Sequence, residues 1–308
     1  MRQITVLLGA ILAIVFATTA SAQPLRVLVV NDDGITATGT DGGIDVLVDH
    51  LRNNPELLVR VVAPDVNKSA SGDSITFPPT TIGATPGTTV GSLTDPNDVA
   101  VDGFPADCVT YAITGLGFQP DLVVAGINGG QNLGREVGTS ISGTVGAALT
   151  AGRNGIPAIA VSMERDVSDY TAAALYVSNM VEAFRKKKGF RKKLASKNGL
   201  GMSAVLSINV PGCTSGGSLR GVEVVPLAQL RTITGYVEGP PETFTATADD
   251  NFVPAIFGVP DCTSTLEDPT NDLDAFMNGF ISVTVLNPDE TVDNKLRRFR
   301  FVRNIDFE

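Results

Sequence analysis

The stretch Val27-Leu-Val-Val-Asn31-Asp32-Asp33-Gly34 constrains this chain more than any other. Four apolar, mostly β-branched residues predict a strand buried on both faces, as in a parallel sheet covered by helices. The run stops in an amide, two carboxylates and a glycine. In such sheets ligands bind beyond the carboxyl ends of the strands. Two adjacent carboxylates there repel and raise one pKa unless something positive sits between them. A hard divalent cation such as Mg²⁺ or Mn²⁺, which prefers oxygen ligands, answers that need. Taken alone, Asp-Asp-Gly is also an ordinary turn or helix cap. The rest of the chain has to decide.

Downstream, strand and helix patterns alternate. Apolar positions within Gly42 to Leu51 predict a helix that carries His50, read as a partly exposed helix residue. Leu57 to Ala63 reads as a strand, followed by the polar loop Asp65 to Ser74 with Ser69 in it. Residues 77 to 98, rich in Pro, Thr and Gly, predict an excursion or hairpin outside the sheet. Gly103 to Asp107 opens a helix running to about Thr114, with Pro near its first turn. Asp121 to Ala125 reads as a buried strand running into the amide- and glycine-rich loop Gly126 to Gly134. Ser142-Gly143-Thr144 then precedes a helix of small residues, Val145 to Ala151; its N–H groups, hydroxyls and dipole favour an anion, though Ser and Thr are also ordinary N-caps. Ile156 to Val161 predicts a strand and Tyr170 to Phe184 a helix. The basic run Arg185 to Lys193 reads as a solvated helix end and loop, with a phosphate-binding role the alternative. Strands are expected at Ala204 to Val210, Gly221 to Pro226 and Phe280 to Val285, with 232 to 270 irregular. The pattern predicts an α/β, Rossmann-like doubly wound, mostly parallel sheet with a hairpin excursion and a less regular C-terminal extension. We expect one domain over 23–308, with a core at 25–185 and the extension at 200–308.

Composition narrows the function. With 43% apolar and 18% charged residues the chain can bury a sizeable core, and its net charge of -10 argues against coating nucleic acid. Met1-Arg2-Gln3, the apolar run Ile4 to Ala17 and the small residues Ala20-Ser21-Ala22 read as a cleavable signal peptide. A secreted or periplasmic protein without a membrane span is therefore expected, cut after Ala22.

Three strand-end loops carry Asn31-Asp32-Asp33, Ser69 and Asn128, and a fourth carries Ser142-Gly143-Thr144. Together they offer oxygen ligands for one hard cation beside an anion cradle, a plan for metal-assisted phosphate-ester hydrolysis. There is no Gly-x-x-x-x-Gly-Lys-Ser/Thr loop, and no Gly-x-Gly-x-x-Gly follows the first strand. The single histidine, His50, lacks a partner for phosphohistidine chemistry, and Cys108 has Thr114 where a cysteine phosphatase needs Arg.

The segments Val-Asn-Asp-Asp-Gly (30–34), Val-Val-Ala-Pro-Asp (61–65), Ser-Ala-Ser-Gly-x-Ser-Ile-Thr (69–76) and Gly-x-Pro-Ala-Asp-Cys-Val (103–109) resemble the SurE family of survival-protein nucleotidases. So do residues 120–132, Ser-Gly-Thr-Val (142–145) and Ile-Pro-Ala-Ile-Ala-Val-Ser (156–162). The likeness is dense over 25 to 165 and thins over 205 to 285. It implies a divalent-metal-dependent phosphatase (Mg²⁺ or Mn²⁺) acting on nucleoside 5′- and 3′-monophosphates. By the same resemblance Asp32, Asp33, Ser69 and Asn128 are the metal ligands, with Asp32 and Asp33 the catalytic carboxylates. Asn31, Asn132, Ser142, Gly143 and Thr144 would bind substrate phosphate. Many members carry His where Asp73 stands and Arg where Gly129 stands, so positive character is missing here. The resemblance also implies a homodimer or homotetramer, with the tail Lys295 to Glu308 a candidate for exchange.

The expected function is an exported 5′/3′-nucleotidase or broader acid phosphatase, with either water or an aspartate as nucleophile. The rival is a non-catalytic exported module that binds nucleotides or other phosphate esters. Of the three cysteines, Cys213 and Cys262 lie in polar, Pro/Gly-flanked segments and are expected to pair, leaving Cys108 a buried thiol. The alternative is three free thiols.

Overall fold

The computed structural model describes residues 23–92, 94–197, 202–231, 233–250, 252–288 and 296–307. The expected signal segment, residues 1–22, lies outside the described residues.

The first strand, β1 (Leu25–Val30), is central, and its side chains alternate between two cores. Val27 and Val29 point into one apolar cluster, Leu28 and Val30 into the other, and all four are fully buried. Both sheet faces are therefore covered, as a continuous apolar strand requires. On one side β1 pairs in parallel with β2 (Leu57–Pro64). The chain then forms β3 (Ala84–Pro86) and β4 (Val99–Val101) before crossing to β5 (Leu122–Gly129), which is parallel to β1 on its other side. The direction of strand succession thus reverses between β1 and β5, and the crevice there is where such sheets hold ligands. Next come β6 (Ala158–Met163) and β7 (Val205–Val210), then β8 (Val222–Val224), β9 (Gly235–Glu238), β10 (Phe244–Thr247) and β11 (Ile281–Leu286). The nine-stranded sheet runs β3-β4-β2-β1-β5-β6-β7-β11-β8, with β3, β11 and β8 running against the other six strands. The mostly parallel α/β sheet expected from the sequence is the one observed.

The helices are α1 (Ile44–Arg52), α2 (Pro105–Thr114), α3 (Gly143–Arg153), α4 (Thr171–Lys186), α5 (Lys188–Leu194), α6 (Phe252–Phe257) and α7 (Asp272–Met277). In α1 the buried residues Ile44, Leu47, Val48 and Leu51 follow helical spacing. α1 and α4 pack together, as do α2 and α3. Three aspects of the sequence reading need amending. The loop expected within Arg185 to Lys193 is largely helical, as α5, with Phe190 and Leu194 buried. The 77–98 excursion is not wholly outside the sheet, because Ala84–Pro86 pairs with β4 at its edge. Residues 232–270 are not wholly irregular: β9 and β10 form a hairpin, followed by α6. These strands are mostly exposed, so they lack the apolar alternation that reveals a half-buried strand.

Cys213 and Cys262 are disulfide-bonded and Cys108 is a buried free thiol, as expected. The bridge joins the loop after β7 to the segment that follows α6. The tail packs on its own chain within the described residues, with Phe299, Val302 and Ile305 buried. The Tyr176 hydroxyl donates to the Val302 carbonyl oxygen at 3.2 Å.

Candidate active site

Asp32 and Asp33 emerge where β1 ends, and each is held by backbone from a different element. Asn31 shapes the turn: its Oδ1 accepts the Gly34 N–H at 2.9 Å. Gly34, at φ +108°, makes the turn that carries the chain away from the carboxylates. Asp32 points at the N-terminus of α3. The Thr144 hydroxyl donates to its Oδ1, and the Gly143 and Thr144 N–H groups face the same carboxylate. A negative group is favoured there by the unpaired N–H groups and the dipole. The anion that the Ser-Gly-Thr turn holds within the chain is therefore Asp32 itself. Ser142 caps the helix, its Oγ accepting the Val145 N–H at 3.1 Å.

Asp33 turns the other way, and its Oδ2 accepts the Gly129 N–H at 2.9 Å. Asn128, at the end of β5, donates from Nδ2 to the Gly130 carbonyl oxygen, which leaves Oδ1 as its open oxygen. Ser69 lies on an exposed loop fixed over the aspartates. Lys68 N–H donates to the Asp32 carbonyl oxygen at 2.7 Å, and Gly72 N–H to that of Ile141 at 2.8 Å. The loop also approaches α3 closely, since a Cβ on Gly146 would sit 2.1 Å from the Gly72 carbonyl oxygen. Asn132 is engaged: its Nδ2 donates to Ser162 Oγ at 2.8 Å and its N–H to Asn209 Oδ1 at 2.7 Å.

Asp32, Asp33, Ser69, Asn128, Asn132 and Ser142 all line one cavity of about 380 Å³. The structure thus gathers the residues expected as metal ligands, together with Asn132 and Ser142. Asn31, Gly143 and Thr144 stand behind that wall. Sequence reasoning missed Ser162 and Asn209, which hold Asn132, and Arg165, which lines the cavity. Ser162 and Asn209 fall within stretches of family likeness, but nothing in the sequence marks their tie to Asn132, and no motif marks Arg165 in the loop after β6.

Asp32 and Asp33 are buried, and neither has an ion pair among the described residues. Burial raises the Asp32 carboxyl against the opposing Thr144 bond. Burial, then the Asp32 charge, pushes Asp33 up to about 8 from the ordinary 3.8. The folded chain therefore favours a protonated Asp33. Its stabilising contribution is full below the ordinary carboxylate range and is lost as pH rises towards about 8. In chelator, the melting temperature of wild type should fall relative to Asp33→Asn between about pH 5 and pH 8.5. Mg²⁺ should restore wild type at the upper end. Parallel melting curves with pH for the two proteins would show that Asp33 carries no such shift.

A family model, Survival protein SurE, matches residues 27–233. The chain belongs to the SurE family. It is 32% identical over 288 residues to a 5′-nucleotidase SurE of Haemophilus influenzae (strain PittEE), covering 88% of this chain and 95% of that one. It is 35% identical over 274 residues to the 5′-nucleotidase SurE of Syntrophotalea carbinolica, covering 87% and 93%. The crystal structure of SurE protein from Aquifex aeolicus aligns with a TM-score of 0.62 at 27% identity, covering 90% of this chain and 98% of that one. The SurE family expected from the motifs is the family found.

Proposed function

We propose that this SurE-family protein is a divalent-metal-dependent nucleotidase that hydrolyses nucleoside 5′- and 3′-monophosphates, with broader acid phosphatase activity. The observation that carries this reading is the pair of buried, adjacent carboxylates at the sheet's switch point, held by N–H groups and without an ion pair among the described residues. The donor set fits a hard cation: Asp32, Asp33, Asn128 Oδ1 and the Ser69 hydroxyl are all oxygen ligands. Mg²⁺ or Mn²⁺ would be held there. When bound, such an ion polarises a phosphoryl oxygen and stabilises charge that develops on the phosphate.

The chain's own groups set the geometry. Thr144 and the start of α3 fix Asp32, Gly129 fixes one oxygen of Asp33, and the Gly130 carbonyl oxygen orients Asn128. Val137, Ile141 and Ile256 give the cavity apolar walls that reduce water around the ester. A cavity of about 380 Å³ suits a small phosphate monoester. Phosphate release from nucleoside 5′- and 3′-monophosphates, measured with Mg²⁺, with chelator and after adding Mg²⁺ back, tests the reading. Turnover that chelator stops and Mg²⁺ restores is expected. Metal-indifferent turnover, or none, refutes it.

The homodimer or homotetramer implied by the resemblance belongs to the same proposal, as does export. Among the described residues no helix is long and apolar enough to cross a membrane. Secreted protein should begin at Gln23 by N-terminal mass analysis, and an intact Met1 on secreted material contradicts export by cleavage.

A further inference from the structure

The cavity carries more negative charge than a single divalent ion offsets. Besides Asp32 and Asp33, Asp41 and Asp166 line it, and among the described residues Arg165 is the one basic residue in its wall. A phosphate monoester entering such a site needs a cation from the chain, and position 129, with Gly rather than Arg, does not provide it.

Arg165 follows β6 directly and is built into place. Its N–H donates to Gln131 Oε1 at 3.1 Å, and its Nε lies 3.5 Å from the Ile256 carbonyl oxygen. The guanidinium stacks 5.2 Å from the Phe257 ring centroid, and it has no ion pair among the described residues. Its Nη2 occupies space that Gly130 leaves open: a Cβ on Gly130 would come within 3.3 Å of it. Arg165 lines the same cavity as Asp32 and Asp33. With Nε and one ring face engaged, the Nη groups remain as a fork of donors matched to phosphate oxygens.

The geometry points to Arg165 as a substrate-binding residue that receives the phosphate anion, supplying from the end of β6 the cation that position 129 lacks. This inference rests on the nucleotidase reading of the same cavity. The bare backbone at Gly130 gives the long side chain its path. Arg165 is exposed and on the rim, so its removal should leave the fold intact.

The probe is inorganic phosphate, titrated calorimetrically into Mg²⁺-loaded wild type, Arg165→Met and Arg165→Lys. Arg165→Met should lose roughly tenfold to a hundredfold in phosphate affinity, the range for a lost charged hydrogen bond. Its KM for a nucleoside monophosphate should rise alike while kcat stays within a few-fold, because the contact is shared by ground and transition states. Arg165→Lys should recover part of the affinity by restoring charge without the fork. All three proteins should melt together. Phosphate affinity in Arg165→Met within twofold of wild type overturns the inference, as does wild type that binds no phosphate. Wild type that loses phosphate binding with Arg165 yet hydrolyses no nucleotide overturns the nucleotidase reading and leaves this inference standing.

Discussion

Asp32→Asn should lower nucleoside monophosphate turnover by about a hundredfold or more at saturating Mg²⁺. The substitution keeps the side chain's size and removes one charge from the carboxylate pair. If a bound cation supplies several kcal/mol of transition-state stabilisation, losing its anchor removes at least that factor. The fold should survive, because burial raises the Asp32 carboxyl, so its charge is no stabilising asset without metal. Melting in chelator should stay within a few degrees of wild type. Asn128→Asp is the complementary variant: it keeps an oxygen ligand and adds a third carboxylate. It should hold Mg²⁺ at least as well as wild type yet lose activity, since the added charge opposes an incoming phosphate. Wild-type turnover in Asp32→Asn would mean that the aspartates only make the turn after β1.

Removing the Cys213–Cys262 bridge should destabilise the protein by about 2–4 kcal/mol, the range expected when a loop of this length is released. The two cysteines are 49 residues apart, and β8, the β9–β10 hairpin and α6 all lie between them. Other ties at the bridge are few: Ser215 donates to the Pro260 carbonyl oxygen at 2.5 Å, and Gly217 forms a single bridge to Cys262. The double Cys→Ala variant should show a lower urea midpoint with an unchanged slope. Its kcat should stay near wild type, because Asp32, Asp33 and Asn128 hang from β1 and β5, which the bridge does not touch. A midpoint equal to wild type would show that the bridge adds nothing beyond those contacts.

The site was legible in the sequence where strand and ligand are adjacent in the chain. Val27 to Val30 announces a doubly covered strand, so Asp32 and Asp33 are placed at its carboxyl end by continuity alone, and the same holds for Asn128 after β5. What the residues near them do was less legible. Thr144 and Gly143 carry the signature of an anion-binding helix start, but only three dimensions show that Asp32 is the anion they face. Arg165 has no motif, and its position over the cavity depends on β6 lying beside β5 and on the bare backbone at Gly130. In the fold, β4 has only three residues, too few to show a period, and β9 and β10 are exposed ribbon strands without a buried face.

The central claim is that one divalent ion at Asp32 and Asp33 makes this cavity a nucleotidase. Its most direct test is a Mn²⁺ titration of chelator-treated protein, with bound Mn²⁺ and 5′-nucleotide turnover read on the same samples. Turnover should rise in proportion to bound Mn²⁺, reach its plateau at one ion per chain, and stay near zero in Asp32→Asn at the same total Mn²⁺. Full turnover before any ion is bound, or equal occupancy and turnover in wild type and Asp32→Asn, would contradict it.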